Sequence, residues 1–278
     1  MLAQQTWVLT GAAGRIATSL RPALAARVRS LRLLDISHVA AEHPNEQAID
    51  VDVRDRDVMA EAIAGADGVL HFGGLADEAD FRDLADVNIV GTFNVLEASR
   101  RAGVGRFVYA SSNRLTGFYP TSTTVTPDMI PRPDGLYGAS KAACEALMHM
   151  YCDKFGLSAV SMRIGSFEDV PQDERQLSTW LSPGDCLAAV LAAMTASSVA
   201  YAAFYAVSDN TRCWWDLAPG HALGFHPVDD AELYAPGIAA ARSPASAGAQ
   251  GGPYASPNYT LRFLDSTPKA ALSYTTIS

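Results

Sequence analysis

The stretch that decides the fold is residues 6–17, which read Thr6-Trp7-Val8-Leu9-Thr10-Gly11-Ala12-Ala13-Gly14-Arg15-Ile16-Ala17. Its apolar and β-branched start predicts a strand over residues 6–10, and the apolar spacing that follows predicts a helix over residues 15–28. A glycine-rich turn between a strand and a helix is the setting of a dinucleotide-binding site. Gly11 would make the tight turn, and Gly14 would let the backbone and the helix N-terminus approach a pyrophosphate.

Acidic residues follow the next two predicted strands. The strand at residues 31–35 ends in Asp35, 21 residues after Gly14, where a carboxylate can accept hydrogen bonds from both adenosine ribose hydroxyls. Because this carboxylate would repel a 2′-phosphate, the pattern favours NAD over NADP. A third strand over residues 49–53 would bring Asp52, next to Val53, to the position where an adenine amino group could be bound.

A second glycine turn follows the fourth predicted strand, residues 68–72. That strand ends in Phe72, and Gly73 and Gly74 come directly after it, which allows a ligand close to the backbone. His71 lies inside the strand, where we expect a core histidine with its hydrogen bonds satisfied rather than a catalytic one.

Strands and helices alternate along the chain, with further strands predicted at residues 106–110 and 159–164. This order predicts the α/β class, a Rossmann-type doubly wound parallel sheet with a small C-terminal substrate lobe. Ligands bind beyond the carboxyl ends of the strands in such sheets, where the glycines and acids above also fall. We assign residues 1–165 mainly to an NAD-binding core. Residues 166–278 would supply the substrate side, the remaining strand and an irregular tail, all within one structural domain.

Tyr137 and Lys141 are four residues apart at the start of a helix predicted over residues 137–155, so their side chains share one face. A phenol is a poor base at neutral pH, but a nearby cation favours the phenolate and lowers the phenol pKa. Ser112 follows a predicted strand and falls at the same edge of the sheet as the glycines and acids above. Asn88, an amide among apolar neighbours in a helix predicted over residues 81–103, needs partners and would orient backbone or water near the lysine.

Composition excludes several classes of partner. The 278 residues are 49% hydrophobic and carry a formal net charge of −9, which argues against nucleic acid and anionic membranes. The longest apolar run, residues 186–196, is too short to span a bilayer. The first strand begins at residue 6, so we expect no signal peptide. The four cysteines show no metal-binding spacing; we expect reduced thiols, no metal and a cytoplasmic location.

Together these motifs resemble the extended short-chain dehydrogenase/reductase family, of the NAD-dependent epimerase/dehydratase type. The matching stretches are residues 10–16, Asp35, residues 52–53, residues 111–112 and residues 137–141. The resemblance implies proton transfer by Ser112, Tyr137 and Lys141. It also implies an NAD site formed by Gly11, Gly14, Arg15, Ile16, Asp35, Asp52, Val53, Phe72, Gly73, Gly74, Asn88, Tyr137, Lys141 and Ile164.

Within that family, the chain resembles the uronate dehydrogenases in residues 111–113, 132–138, 163–166, 177–180, 214–216 and 223–225. This resemblance implies NAD-dependent oxidation of the C1 hydroxyl of cyclic D-galacturonate or D-glucuronate to an aldarolactone. The sugar acid would contact Ser112, Asn113, Arg114, Tyr137, Ser166 and Arg175. Two residues depart from the pattern, because Arg114 stands where a histidine is expected and Ala76 where a serine is expected.

Several alternatives remain at this point. Arg175 lies in a polar loop and could be a solvated charge, although a sugar acid needs a guanidinium for a bidentate contact. Arg114 could be a second carboxylate contact or only cover the rim of the pocket. The chain could also be a sugar-nucleotide epimerase or dehydratase, another sugar dehydrogenase, or a non-catalytic NAD-binding protein. The family resemblance suggests a homo-oligomer, through the helices predicted over residues 81–103 and 137–155.

Overall fold

Seven parallel strands form one sheet in the order β3-β2-β1-β4-β5-β6-β9 in a computed structural model that describes residues 2–238 and 248–264. The strands of the sheet are β1 (Thr6–Thr10), β2 (Ser30–Asp35), β3 (Glu46–Asp50), β4 (Gly68–His71), β5 (Arg106–Ser112), β6 (Ala159–Ile164) and β9 (Tyr201–Ala206). A separate pair, β7 (Ser166–Phe167) and β8 (Trp180–Leu181), is also parallel. The predicted α/β class with a doubly wound parallel sheet is confirmed.

Helices cover both faces of this sheet, which is why its central strands are buried along their whole length. The longer helices are α1 (Arg15–Ala25), α2 (Arg56–Ile63), α4 (Gly91–Ala102), α5 (Leu136–Phe155) and α7 (Pro183–Thr195). Short helices are α3 (Phe81–Leu84), α6 (Gln176–Thr179), α8 (Ala218–Ala222) and α9 (Ala235–Ile238), and the last described helix is α10 (Pro257–Leu264). α1 and α7 pack on one face of the sheet, and α2, α4 and α5 pack on the other.

The strand order reverses between β1 and β4, which pair with each other in parallel. The chain runs from β1 outward to β2 and β3, then returns to β4 and continues the other way. A crevice opens at the carboxyl ends of the strands where such a reversal occurs, and ligands of doubly wound sheets bind there.

A buried ion pair fixes α5 to the sheet. Arg163 on β6 donates from Nη2 to Glu145 Oε2 at 2.8 Å, and both side chains are buried. The other oxygen of Glu145 accepts hydrogen bonds from Ser111 and Ser161, each at 2.7 Å. Because α5 begins at Leu136, this anchor sets where its first turn lies relative to the carboxyl ends of β5 and β6.

Three elements differ from the sequence expectations. The third strand spans Glu46–Asp50 instead of residues 49–53, so Asp52 lies in the loop beyond the strand. The helix expected over residues 81–103 is continuous but changes to a π-helical pitch at Ala85–Val90. The tail that was expected to be irregular contains α10 (Pro257–Leu264), and residues 239–247 and 265–278 lie outside the described residues.

The C-terminal segment, residues 248–264, returns to the carboxyl edge of the sheet. Gln250 donates a backbone hydrogen bond to Tyr119, and Gly251 donates one to Gly117. The hydroxyl of Tyr259 donates to Asp77 at 2.7 Å, and the hydroxyl of Thr260 donates to Glu78 at 2.8 Å. This segment therefore closes one side of the crevice. In the described ranges, every helix is too short or too polar to cross a bilayer.

Candidate active site

A cavity of about 580 Å³ lies at the carboxyl edge of the sheet, over the point where the strand order reverses. All but one of the residues named from the sequence as site residues line it. They are Gly11, Gly14, Arg15, Ile16, Asp35, Asp52, Val53, Phe72, Gly73, Gly74, Ser112, Asn113, Arg114, Tyr137, Lys141, Ile164, Ser166 and Arg175. The exception is Asn88, which is buried behind the cavity wall.

The first glycine turn is shaped for close backbone approach. Gly11 has φ +68°, and a Cβ atom there would lie 2.7 Å from the backbone of Phe72 and Gly73. No larger residue fits such a position. Gly14 is the residue before α1 and has no side chain to cap the helix, and it lines the cavity together with the first residues of α1. A diphosphate is the natural partner of such a helix end.

The two acids that were predicted to bind the nucleotide, Asp35 and Asp52, both have hydrogen-bond partners within the chain. Asp35 accepts hydrogen bonds from the backbone N–H groups of Ala13 and Ser37, each at 2.9 Å, which ties β2 to the glycine turn. Asp52 forms an ion pair with Arg54 at 2.6 Å, and this hydrogen-bonded contact lowers the pKa of its carboxyl. Both carboxylates line the cavity. Their contacts with ribose and adenine remain predictions.

His71 and Thr10 hold the second glycine turn. The hydroxyl of Thr10 accepts from the backbone N–H of Gly73 at 3.0 Å and lies 2.7 Å from His71 Nδ1. His71 Nε2 lies 3.0 Å from the hydroxyl of Thr92. Burial lowers the pKa of His71 to about 3, with a smaller effect from the charge of Lys141, so the imidazole is neutral. The prediction of a core histidine with satisfied hydrogen bonds is confirmed.

Asn88 positions the wall of the cavity from behind. Its amide oxygen accepts from Leu75 N at 2.8 Å, and its amide nitrogen donates to Leu75 O at 3.2 Å and to the hydroxyl of Ser140 at 3.0 Å. These bonds agree with the expectation that the Asn88 amide orients backbone near Lys141. The resemblance also implied a direct contact of Asn88 with the cofactor, but Asn88 does not line the cavity.

Tyr137, Lys141 and Ser112 are all buried and meet at the floor of the cavity. Lys141 Nζ donates to the carbonyl oxygen of Ala110 at 2.9 Å and lies 5.7 Å from the centre of the Tyr137 ring. Burial lowers the pKa of Lys141 to about 8. The same helix turn therefore presents an amine and a phenol to one reacting position, as the spacing of four residues predicted.

The acidity of Tyr137 differs from the sequence expectation. Burial raises its pKa to about 12, and the Ser112 hydroxyl and the Arg114 guanidinium oppose this rise. Lys141 was expected to lower the phenol pKa, but its ammonium donates to the Ala110 carbonyl instead. Desolvation outweighs that more distant charge.

The substrate side of the cavity contains an arginine without an acidic partner. Arg175 Nε donates to the carbonyl of Gln250 at 2.8 Å, and its Nη1 lies 3.5 Å from the hydroxyl of Ser166. Across the described ranges, no carboxylate lies within 4.0 Å of this guanidinium. Asn113 lines the same cavity and has a buried amide nitrogen with no hydrogen-bond acceptor. The guanidinium and this amide are donors available to an acidic, hydroxylated ligand.

Arg114 has a different environment. Its Nε donates to Asp134 at 2.8 Å, its Nη1 to Asp77 at 2.7 Å and its Nη2 to Glu78 at 3.3 Å. Its charge is already compensated within the chain, so the geometry favours the alternative in which Arg114 forms part of the rim. Ala76, the other departure from the pattern, also lines the cavity and offers no polar side chain.

Four residues that were not predicted as site residues also surround the site: Asp77, Glu78, Asp134 and Tyr254. The ring centre of Tyr254 lies 4.3 Å from the guanidinium carbon of Arg114. Asp134 belongs to the stretch before Tyr137 that carried the closer resemblance. A buried arginine requires acidic partners. This requirement was the signal that could have pointed to Asp77, Glu78 and Asp134.

Comparison with known proteins places the chain in a class. Residues 7–179 match the NAD dependent epimerase/dehydratase family, and the chain belongs to this family. The cofactor is NAD, and the glycine turns, the α1 N-terminus and Asp35 fit this dinucleotide.

More specific similarity is to uronate dehydrogenases. The chain is 38% identical over 239 residues to the uronate dehydrogenase of Pseudomonas syringae pv. tomato, covering 86% of this chain and 87% of that protein. A crystal structure of a variant of the Agrobacterium tumefaciens uronate dehydrogenase complexed with NAD superposes with a TM-score of 0.87 at 36% identity, covering 93% and 100% of the two chains. The L-arabinose 1-dehydrogenase (NAD(P)(+)) of Haloferax volcanii is 32% identical, covering 80% of this chain and 96% of that protein.

Proposed function

We propose that the protein is an NAD-dependent uronate dehydrogenase. It oxidises the C1 hydroxyl of cyclic D-galacturonate or D-glucuronate to the aldarolactone. The observation that carries this assignment is Arg175, a guanidinium facing the cavity without a carboxylate partner in the described chain. A sugar carboxylate supplies the missing charge and accepts two parallel hydrogen bonds from it. The uronate dehydrogenases among the relatives support the same substrate class.

The side chains on the cavity floor supply the proton chemistry. The C1 hydroxyl of the sugar loses its proton to the oxygen of Tyr137, while the hydroxyl of Ser112 hydrogen-bonds the same sugar oxygen. Lys141 binds the nicotinamide ribose and offers a positive charge to the phenolate. NAD, when bound, accepts the hydride from C1, which leaves the C1–O bond as the carbonyl of the lactone.

The substrate-side donors orient the sugar. Arg175 holds the carboxylate, and Asn113 and Ser166 hydrogen-bond the ring and its hydroxyls. Holding C1 over the nicotinamide in one orientation can contribute several powers of ten in rate.

An ion pair joins the glycine turn to the loop after β7. It is formed by Arg15 and Glu168, which both line the cavity.

A screen of NADH formation at 340 nm tests the assignment. D-galacturonate and D-glucuronate should be oxidised in preference to D-galactose, D-glucose and L-arabinose, which lack the carboxylate. Arg175→Met should raise KM for the uronates by at least about 10-fold, because a charge-assisted contact is worth about 1.5–3 kcal/mol. Arg132→Gln, outside the cavity, is the matched control. A preference of the wild type for neutral sugars would reject the sugar-acid assignment.

The rival enzyme class, a sugar-nucleotide epimerase or dehydratase, would give no net NADH. The described chain after β9 contributes only short helices, and residues 248–264 occupy the side of the crevice next to Arg114 and Arg175. We therefore expect no turnover of UDP-glucose or UDP-glucuronate. A product with an inverted or dehydrated sugar would favour that rival.

We also infer a homo-oligomer in the cytoplasm. Val90, Met150 and Phe155 are exposed apolar residues on the helical stretches around α4 and α5, the surface expected to join subunits. The cytoplasmic location rests on the expectation that the four cysteines are reduced thiols. Light scattering after size-exclusion chromatography measures the assembly, and a monomeric mass at micromolar concentration would contradict it.

A further inference from the structure

We propose that Arg114 is a positioning residue for Tyr137, which it holds through carboxylates of the chain, and that it does not bind the substrate. The proposal rests on the proposed function only for the substrate used in the kinetic part of its test. It explains why an arginine with three acidic partners lies beside the reacting phenol.

The partners of Arg114 come from two separate segments of the chain. Asp77 and Glu78 lie in the loop after β4, and Asp134 lies just before α5. The side chains of Glu78 and Asp134 are fully buried, and that of Arg114 is 7% exposed. A guanidinium presents five N–H donors in a rigid planar fork, which fixes the directions of its contacts with three carboxylates more strictly than the compact ammonium of a lysine does.

Arg114 and its three carboxylate partners form a cluster that contacts Tyr137 or its neighbours in three ways. The guanidinium carbon of Arg114 lies 5.2 Å from the centre of the Tyr137 ring. Glu78 accepts the backbone N–H groups of Leu136 and Tyr137 at 2.8 and 3.0 Å, which caps the first turn of α5. The carbonyl of Arg114 packs on Gly138, where an added Cβ would approach it to 2.5 Å. The phenol is therefore fixed from its ring face, its backbone and the following residue.

The cluster also balances charge around the phenol. The charged or titratable groups that face it are Asp77, Glu78, Arg114, Asp134, Lys141 and Tyr109. Asp77 and Asp134 raise the pKa of Tyr137, and Arg114 lowers it. Removal of Arg114 would leave the carboxylates unopposed and raise the phenol pKa further. Less phenolate would then be present at any pH below that pKa.

The kinetic test compares Arg114→Gln and Arg114→Lys with the wild type by kcat/KM of NADH formation against pH. In Arg114→Gln we expect the acid limb to move up by about one pH unit, with kcat/KM about 10-fold lower at pH 7. Arg114→Lys keeps the charge and should fall between that variant and the wild type. KM for the uronate should change by less than about 3-fold, since Arg114 does not contact the sugar.

Two patterns would overturn the proposal. A rise of 10-fold or more in KM with an unmoved acid limb would make Arg114 a substrate contact. Wild-type pH profiles of kcat/KM in both variants would show that Arg114 has no part in positioning Tyr137. Arg132→Gln, an arginine that packs on Tyr119 outside the cluster, is the control and should leave the profile unchanged.

A second readout needs no turnover and separates this proposal from the proposed function. Hydrogen exchange measured by mass spectrometry should show the amides of Leu136 and Tyr137 exchanging at least about 10-fold faster in Arg114→Gln, because the Glu78 cap loosens. Unchanged protection there would contradict the positioning role, whichever sugar is the substrate. If Arg114→Gln does not fold, the double variant Arg114→Gln/Asp134→Asn, which removes one charge of each sign, is measured in its place.

Discussion

Burial acts in opposite directions on the two residues of the reacting pair. It raises the pKa of Tyr137 to about 12 and lowers that of Lys141 to about 8, because desolvation disfavours the phenolate and the ammonium alike. The phenol is therefore protonated at neutral pH. A positive charge close to the phenol oxygen favours the phenolate and would make proton transfer to Tyr137 easier.

Removal of the phenol oxygen of Tyr137 is the most direct test of the role of this residue as the base. Tyr137→Phe should lower kcat by about 10²–10⁴-fold, the usual contribution of a positioned acid or base. NAD affinity, measured by quenching of tryptophan fluorescence, should change little, because the glycine turns and Asp35 are untouched. Tyr119→Phe removes a hydroxyl that donates to the Ile130 carbonyl outside the cavity and serves as control. Near-normal turnover by Tyr137→Phe would contradict the assigned base.

At the scale of elements, local patterns predicted the sheet well and the helix interiors less well. The strand, glycine turn and helix at residues 6–25 follow from spacing alone, because each of those signals is local. The third strand was placed three residues too late, since its register is set by pairing of Leu31–Asp35 with Glu46–Asp50. Asp52 consequently reaches the cavity from a loop. The π-helical turn at Ala85–Val90 depends on tertiary packing around Asn88, which periodicity does not report.

The buried anchor of α5 gives a prediction about stability. Glu145→Leu should lower the free energy of unfolding by about 3–5 kcal/mol, because it leaves Arg163 buried without its counter-charge. Urea unfolding followed by circular dichroism measures this loss. The exposed pair of Glu232 with Arg212 is the comparison, and Glu232→Gln should change the free energy of unfolding far less than Glu145→Leu does. Equal effects of the two substitutions would show that α5 is held by other contacts.

At the scale of the whole molecule, the two halves of the site differ in how far the sequence predicts them. The nucleotide half consists mainly of short motifs at strand ends, and all of its expected residues except Asn88 line the cavity. The substrate half is assembled from distant segments: Arg114 meets Asp77 and Tyr254, and Arg175 meets Gln250. Such pairings have no local signature, so the rim at Arg114 could not be derived from spacing. Only the resemblance indicated Ser166 and Arg175.

The neutral histidine under the second glycine turn makes the protein vulnerable to acid. His71 has a pKa of about 3 in the folded chain against an ordinary value of 6.5, so only the unfolded chain takes up its proton between these values. Its contribution to stability is complete above pH 6.5 and is lost progressively as the pH falls toward 3, by a few kcal/mol in all. Urea unfolding at pH 7 and pH 5 should show a smaller loss in His71→Gln than in the wild type. Exposed His226→Asn should keep the wild-type slope, and equal slopes in all three would contradict the idea. His71, which holds the second glycine turn, would then also limit how far the pH can fall before the protein unfolds.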